Sequence, residues 1–329
     1  MIINGIKRSV LCVTLLIGSA LTGFSAAHAG KGTVERYDVE VTQDVLYGTA
    51  RGYFTSLPGY ESDPFKLFTE GYMNSFKEKT LFLTLDLYQP EGLGGKKPLI
   101  IFIHGGSFYS GDKDELAYSD FGNWFASHGF VAASINYRLG YELNAGGYHA
   151  AARRARADAL TALHFLVDHA DEYGIDTNKI FLAGSSAGSI TALSLAFASP
   201  EERAGEQGYK ILAVANMWGS VEDLSILKNN KVGIISFHGD ADKLVPYDEG
   251  HPFAGYSFSG VVSAFSEVWM YGSAAIHREA ERLGLTNKLC TFPGEDHSLN
   301  VDKGIYPNAN HKVVRREMLA FFRNIMEKN

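Results

Sequence analysis

The chain is poor in cysteine: two in 329 residues, Cys12 and Cys290. Cys12 sits inside the apolar run from Val10 to Leu21, behind Lys7 and Arg8 and ahead of Ala27-His28-Ala29. A basic start, an apolar centre and a small-x-small end are the features of a secretory signal peptide, so residues 1–29 are expected to be a cleaved leader and residues 30–329 a single catalytic domain. No lipobox-like small-residue-Cys pair closes the run. Cys290 would then stand alone, which excludes an intrachain disulfide from the exported chain. A body of this length can bury enough apolar surface to be stable without one.

Other absences narrow the function. Beyond the leader no apolar run approaches the ~20 residues that a membrane-spanning helix needs, and the leader's own run is too short to be one. There is no repeat, heptad or low-complexity tract, no His-x-x-x-His, no cysteine pair and no acidic loop with calcium spacing, so no metal or other cofactor is implied. Positive charge is also short: the formal net charge is −7, and loss of the leader's Lys7 and Arg8 lowers it further, against nucleic acid or an anionic membrane as a partner. The pattern is that of an exported globular protein, destined for the periplasm or the medium.

What is present is a change of rhythm. Alternating stretches around Tyr37 to Val41 and Leu81 to Tyr88 read as antiparallel edge strands. Short apolar runs of the buried parallel type follow: 99–103, 130–135, 180–183, 211–215, 232–237 and 288–292. Between them lie amphipathic helices, with Ala152, Ala155, Ala159, Leu163 and Leu166 on one apolar stripe and Val314, Met318, Phe321 and Ile325 on another. Strands alternating with helices predict an α/β architecture, a mostly parallel sheet covered on both faces, with its ligand crevice at the carboxyl ends of the strands.

The chemistry-bearing residues fall at those ends. Gly184-Ser185-Ser186-Ala187-Gly188 joins the run 180–183 to a helix-like stretch, the strand-turn-helix context of an exposed nucleophilic serine; glycines two before and two after Ser186 relieve the clash a Cβ would make on so sharp a turn. A serine hydroxyl needs an imidazole to take its proton and a carboxylate to orient the imidazole. The turn 238–246 offers Asp240 and Asp242, with Asp240 suited to bonding turn amides; His238 reads as a structural strand-end residue. The Pro293-Gly294 turn delivers His297 to the same rim. His104-Gly105-Gly106-Ser107-Phe108, after the run 99–103, can aim amides into the crevice, so that Gly105, Gly106 and Ala187 are the expected oxyanion donors.

The order of Ser186, a turn acid and His297, with His-Gly-Gly upstream and Gly-x-Ser-x-Gly at the turn, resembles the α/β-hydrolase superfamily, in its bacterial esterase and lipase branch related to hormone-sensitive lipases and carboxylesterases. Leu85-Asp86-Leu87-Tyr88-Gln89-Pro90, Asn136-Tyr137-Arg138 and the His-Gly-x-x-Asp-x-x-Val-Pro stretch from His238 extend the resemblance over roughly residues 79–325. It implies Ser186 as nucleophile, Asp242 rather than Asp240 as the acid, His297 as base, and Gly105, Gly106 and Ala187 as oxyanion donors. Where many relatives have a third glycine, this chain has Ser107. Arg138 and Asp158 read as a structural pair. The activity implied is hydrolysis of small-to-medium or aryl carboxylic esters through an acyl-enzyme, on small-molecule or polysaccharide-linked substrates. A peptidase or amidase of the same fold, or a non-catalytic binding module, is the alternative. Aromatic segments at 248–272 and from Tyr53 to Phe76 are candidate pocket walls, the first a partial lid.

Overall fold

In a computed structural model of the chain, the residues described are 36–57, 78–142, 144–199, 201–202, 208–255, 265–302 and 306–328. The leader, most of the segment from Tyr53 to Phe76, and Tyr256 and Phe258 of the 248–272 segment lie outside them. The described residues fall in one unit.

Two long strands open it, β1 (Val39–Gly52) and β2 (Lys79–Pro90), paired antiparallel. β2 alternates as a half-buried strand should: Leu81, Leu83, Leu85 and Leu87 point into the core while Phe82 is exposed. β1 runs well past the expected Tyr37 to Val41; register shifts between Thr42 and Val45 and between Leu46 and Gly48 break its period of two, and Val41 and Leu46 lie on the solvent side. At the first shift Asp44 has a φ of 56°. Its carboxylate and that of Asp86 grip the buried Lys113 ammonium at 2.9 and 2.8 Å.

The parallel set follows as expected: β3 (Lys97–Ile103), β4 (Val131–Ile135), β5 (Ile175–Ser185), β6 (Ile211–Met217) and β7 (Gly233–Gly239). Two short strands, β8 (Glu249–Gly250) and β9 (Met270–Tyr271), pair with each other. β10 (Asn287–Phe292) completes the main sheet, and β11 (Val301–Asp302) with β12 (Tyr306–Pro307) makes a second ribbon. The eight-stranded order is β1-β2-β4-β3-β5-β6-β7-β10, parallel from β4 to β10. Every residue of β4 is buried, the mark of a strand covered on both faces.

The helices are α1 (Leu116–Ser127), α2 (Ala145–Asp168), the single turn α3 (Ala170–Tyr173), α4 (Ala187–Ala196), α5 (Ser273–Arg282) and α6 (Ala309–Lys328). Asn144 caps α2 by accepting the Gly147 N–H at 2.8 Å. The apolar stripe of α2, with α4 and Ile276 of α5, packs on one face of the sheet beside Leu99, Ile101 and Ile103. Phe121 and Phe125 of α1 with Val314, Met318 and Phe322 of α6 cover the other face, against Ile100 and Phe102. Successive residues of β3 thus feed opposite cores. Arg138 and Asp158 join the loop after β4 to α2: the guanidinium donates to the carboxylate at 2.7 to 2.9 Å and the Arg138 N–H adds a bond of 2.8 Å.

Candidate active site

Ser186 stands between β5 and α4 with φ 51° and ψ −121°, a conformation that costs a non-glycine residue on the order of 1–3 kcal/mol and is held by its surroundings. A Cβ on Gly184 would lie 2.2 Å from the Gly188 carbonyl oxygen, and one on Gly188 would lie 2.0 Å from that of Ile103. Both glycines are therefore required by backbone, not by flexible side chains. The Ser186 N–H donates to the Met217 carbonyl of β6 at 2.8 Å, pinning the turn to the neighbouring strand.

The three expected partners converge. Ser186 Oγ lies 2.9 Å from His297 Nε2, and His297 Nδ1 lies 2.7 Å from Asp242 Oδ2. His297 comes from the loop after β10, Asp242 from the turn after β7. Asp242 Oδ1 accepts the N–H groups of Leu244 and Val245 at 2.8 and 3.0 Å, so the turn's own backbone aims the carboxylate. Its side chain is fully buried, as is that of His238, while that of His297 is 12% exposed. Burial works to raise the Asp242 pKa, but hydrogen bonds from His238 and His297 outweigh it and hold the carboxyl well below the usual carboxylate range. An imidazole so placed can accept the Ser186 proton while the ionised carboxylate stabilises the imidazolium. Asp240 does accept a turn amide, though one from the adjacent loop: the Gly294 N–H, at 2.6 Å.

On the other side of Ser186, Gly106, Ser107 and Phe108 all have positive φ, at 90°, 55° and 60°. Tyr137 Oη donates to the carbonyls of His104 and Gly105 at 2.8 and 3.1 Å, and its ring stacks on His104 with centroids 4.4 Å apart. Burial lowers the His104 pKa to about 4, so the imidazole is neutral, with Nδ1 3.0 Å from the Gly105 carbonyl.

One expectation needs correcting here. The Gly105 N–H is already engaged: it donates to Tyr118 Oη at 3.1 Å, and that hydroxyl shares a 2.6 Å hydrogen bond with Ser185 Oγ. Burial pushes the Tyr118 phenol far up, so it stays protonated. Gly105 is a tie between the loop and the turn bearing Ser186, and Gly106 and Ala187 are left as candidate oxyanion donors. Paired glycines indicate amide freedom but not which way each N–H points.

Two cavities open on Ser186. A cleft of about 300 Å³ is lined by Gly105, Gly106, Ser107, Glu115, Tyr118, Trp218, His297 and Asn300. A much smaller apolar pocket is walled by Phe108, Tyr148, Ile190, Val245, Phe253, Phe265 and Met270. The rings of Phe253 and Phe265 pack at a tilt with centroids 5.1 Å apart, and β8 with β9 fastens both ends of the 248–272 segment. Cys290 lies half-buried in β10, burial raising its thiol pKa, and lines neither cavity.

Sequence reasoning missed Tyr118 and undervalued His238. Tyr118 sits on α1 with no motif around it. For His238 a signal was present, a histidine four residues before the acid in one turn.

The BD-FAE family matches residues 85–224, a span that holds the His-Gly-Gly loop and Ser186 and ends before Asp242 and His297. Gut esterase 1 of Caenorhabditis elegans is 27% identical over 151 residues, 45% of this chain and 26% of that protein. Carboxylesterase 3B of Mus musculus is 34% identical over 123 residues, 36% of this chain and 21% of that protein. The chain thus matches about a quarter of the length of these curated relatives. Among solved structures, Thermogutta terrifontis esterase 2 phosphorylated by paraoxon superposes with a TM-score of 0.56 at 20% identity, covering 74% of this chain and 90% of that one. The fold is that of this solved esterase, the α/β-hydrolase fold, and the stretch holding the His-Gly-Gly loop and Ser186 is similar in sequence to esterases.

Proposed function

We propose that the protein is a serine carboxylesterase, with Ser186 as nucleophile, His297 as general base, Asp242 as its orienting acid, and the N–H groups of Gly106 and Ala187 stabilising the oxyanion. The observation that carries this reading is the continuous line from Ser186 Oγ to His297 Nε2 at 2.9 Å and from His297 Nδ1 to Asp242 Oδ2 at 2.7 Å. Ser186 attacks the ester carbonyl as His297 takes its proton. The imidazolium then protonates the leaving alcohol, and water, activated by the same imidazole, releases the acid. No metal or redox group enters these steps.

The small apolar pocket suits a short acyl chain and the larger, more polar cleft the alcohol portion, which supports small or aryl esters, polysaccharide-linked ones included. The described ends of the 248–272 segment, through Phe253, Phe265 and Met270, act as a wall of that pocket. The leader pattern at residues 1–29 supports export to the periplasm or beyond.

Ser186→Ala should abolish turnover of p-nitrophenyl acetate and butyrate, with retained turnover refuting the assignment. Acetyl, butyryl, octanoyl, feruloyl and acetyl-xylan substrates then rank the acyl and alcohol preferences, and an anilide substrate distinguishes an esterase from an amidase.

A further inference from the structure

The carboxylate Asp242 is touched by a second histidine that the proposed chemistry leaves unused. His238 Nε2 lies 3.1 Å from Asp242 Oδ2, the same oxygen that receives His297, and 3.3 Å from the Val245 carbonyl. A neutral imidazole can present either an N–H or a lone pair there, and only the N–H is favourable beside a carboxylate. What selects it can be read back through the core.

The starting point is a backbone N–H, whose direction cannot flip. Gly219 N–H donates to Asn216 Oδ1 at 3.0 Å, which fixes the orientation of the Asn216 amide; Ser189 Oγ donates to the same oxygen at 2.5 Å. Asn216 Nδ2 must then be the donor on its other side, to Ser236 Oγ at 3.1 Å and Ser273 Oγ at 3.0 Å. Ser273 Oγ, having accepted from Asn216, directs its own hydrogen to His238 Nδ1, 2.8 Å away. With Nδ1 an acceptor, the His238 proton resides on Nε2, facing Asp242. Asn216, Ser273 and His238 are all fully buried, so water does not compete for these bonds, and each member has its partners.

We infer that His238 is a positioning residue for Asp242, locked by Asn216 and Ser273 into the tautomer that donates to the carboxylate. The inference rests on the triad assignment above. Its effect is twofold: the carboxylate is held against His297 by a fourth hydrogen bond, and part of its charge is withdrawn from His297, which keeps the imidazole from being over-stabilised as imidazolium.

The test compares His238→Leu, His238→Gln and Ser273→Ala with the wild type. Two readouts are followed: kinetics on p-nitrophenyl acetate and, independently of turnover, the titration midpoint of His297 from its imidazole NMR resonances. Among the described residues, titratable groups near the pair include Asp296, which accepts the His297 backbone N–H, Lys243 bound to Asp296, Tyr247 against the His238 ring, and Glu115 across the cleft. None is altered by these variants. Removing the donor leaves more charge on Asp242, so the His297 midpoint and the acid limb of kcat/KM should rise by about half a pH unit to one unit in His238→Leu. Its kcat should fall about tenfold, the worth of one such hydrogen bond, with KM little changed. Gln places an N–H where Nε2 was and should recover most of both effects; Ser273→Ala should reproduce them in part. An unmoved midpoint in folded His238→Leu and Ser273→Ala, or a Gln variant as impaired as Leu, overturns the inference. Should His238→Leu not fold, Ser273→Ala, which deletes one hydroxyl from α5, still decides it. A wild type that turns over no ester while its His297 midpoint responds as described would defeat the esterase assignment and leave the positioning role intact.

Discussion

The two sides of Ser186 are built on different physics. On one side Asp242 and His297 are held by charge-assisted hydrogen bonds: the carboxylate takes two imidazoles on one oxygen and two backbone N–H groups on the other. On the opposite side the Gly105-Gly106-Ser107 loop is shaped by left-handed backbone and braced by neutral phenols, Tyr137 on its carbonyls and Tyr118 on its Gly105 N–H. The first side acts through ionisation, so a change of charge reaches it directly. The second depends on shape and on groups that stay neutral across the working pH range, so only geometry reaches it.

The largest effect expected from breaking this contrast comes from Asp242→Asn. It keeps the shape of the acid side and removes its charge, leaving His297 without a carboxylate to set its tautomer, and kcat should drop about 10⁴-fold. Steady-state kinetics on p-nitrophenyl butyrate checks it; a loss below tenfold would mean that another group orients His297. Tyr118→Phe is the counterpart on the neutral side. It strips the acceptor from the Gly105 N–H and the partner from Ser185 while keeping the ring, so kcat should fall about tenfold, the cost of an unsatisfied buried donor. The acid limb should stay where it is, and a limb that moves with Tyr118 would erase the distinction between the two sides.

The smallest effect is on stability. His104 titrates at 6.5 when unfolded but is lowered to about 4 by burial in the folded protein, so folding favours its neutral form. A base depressed in this way adds nothing above pH 6.5, where both states are neutral, and lowers stability progressively as the pH falls towards 4, because the unfolded chain binds the proton first. Asp242, a depressed acid, contributes above the ordinary carboxylate range and loses that contribution only at lower pH. Urea unfolding between pH 7 and 4.5 should thus show falling stability, with a shallower fall in His104→Asn than in the wild type. Equal slopes would remove His104 from the account.

Much of the site was legible because each main participant follows a strand and is introduced by turn residues. Ser186 sits between glycines whose replacement would strike backbone, and His297 follows a Pro-Gly turn. Asp242 was separable from Asp240 only through the resemblance of the stretch starting at His238; their different partners, the Leu244 and Val245 amides against the Gly294 amide, appear only in three dimensions. The extent of β1 was not legible either, since a bulge destroys the alternation by which a strand is recognised.

By itself the sequence determined the alternation of strands and helices, the chain order of Ser186, Asp242 and His297, and the turns that carry them, because periodicity and turn chemistry are local properties of the chain. The tertiary structure decided the rest: that the Gly105 N–H turns to Tyr118, that Asp240 ties two loops together, and that His238 meets Asp242 with Ser273 and Asn216 behind it. The direction of an N–H and the tautomer of an imidazole depend on which donors and acceptors surround them. Those partners come from α1, β6 and α5, which only folding brings together.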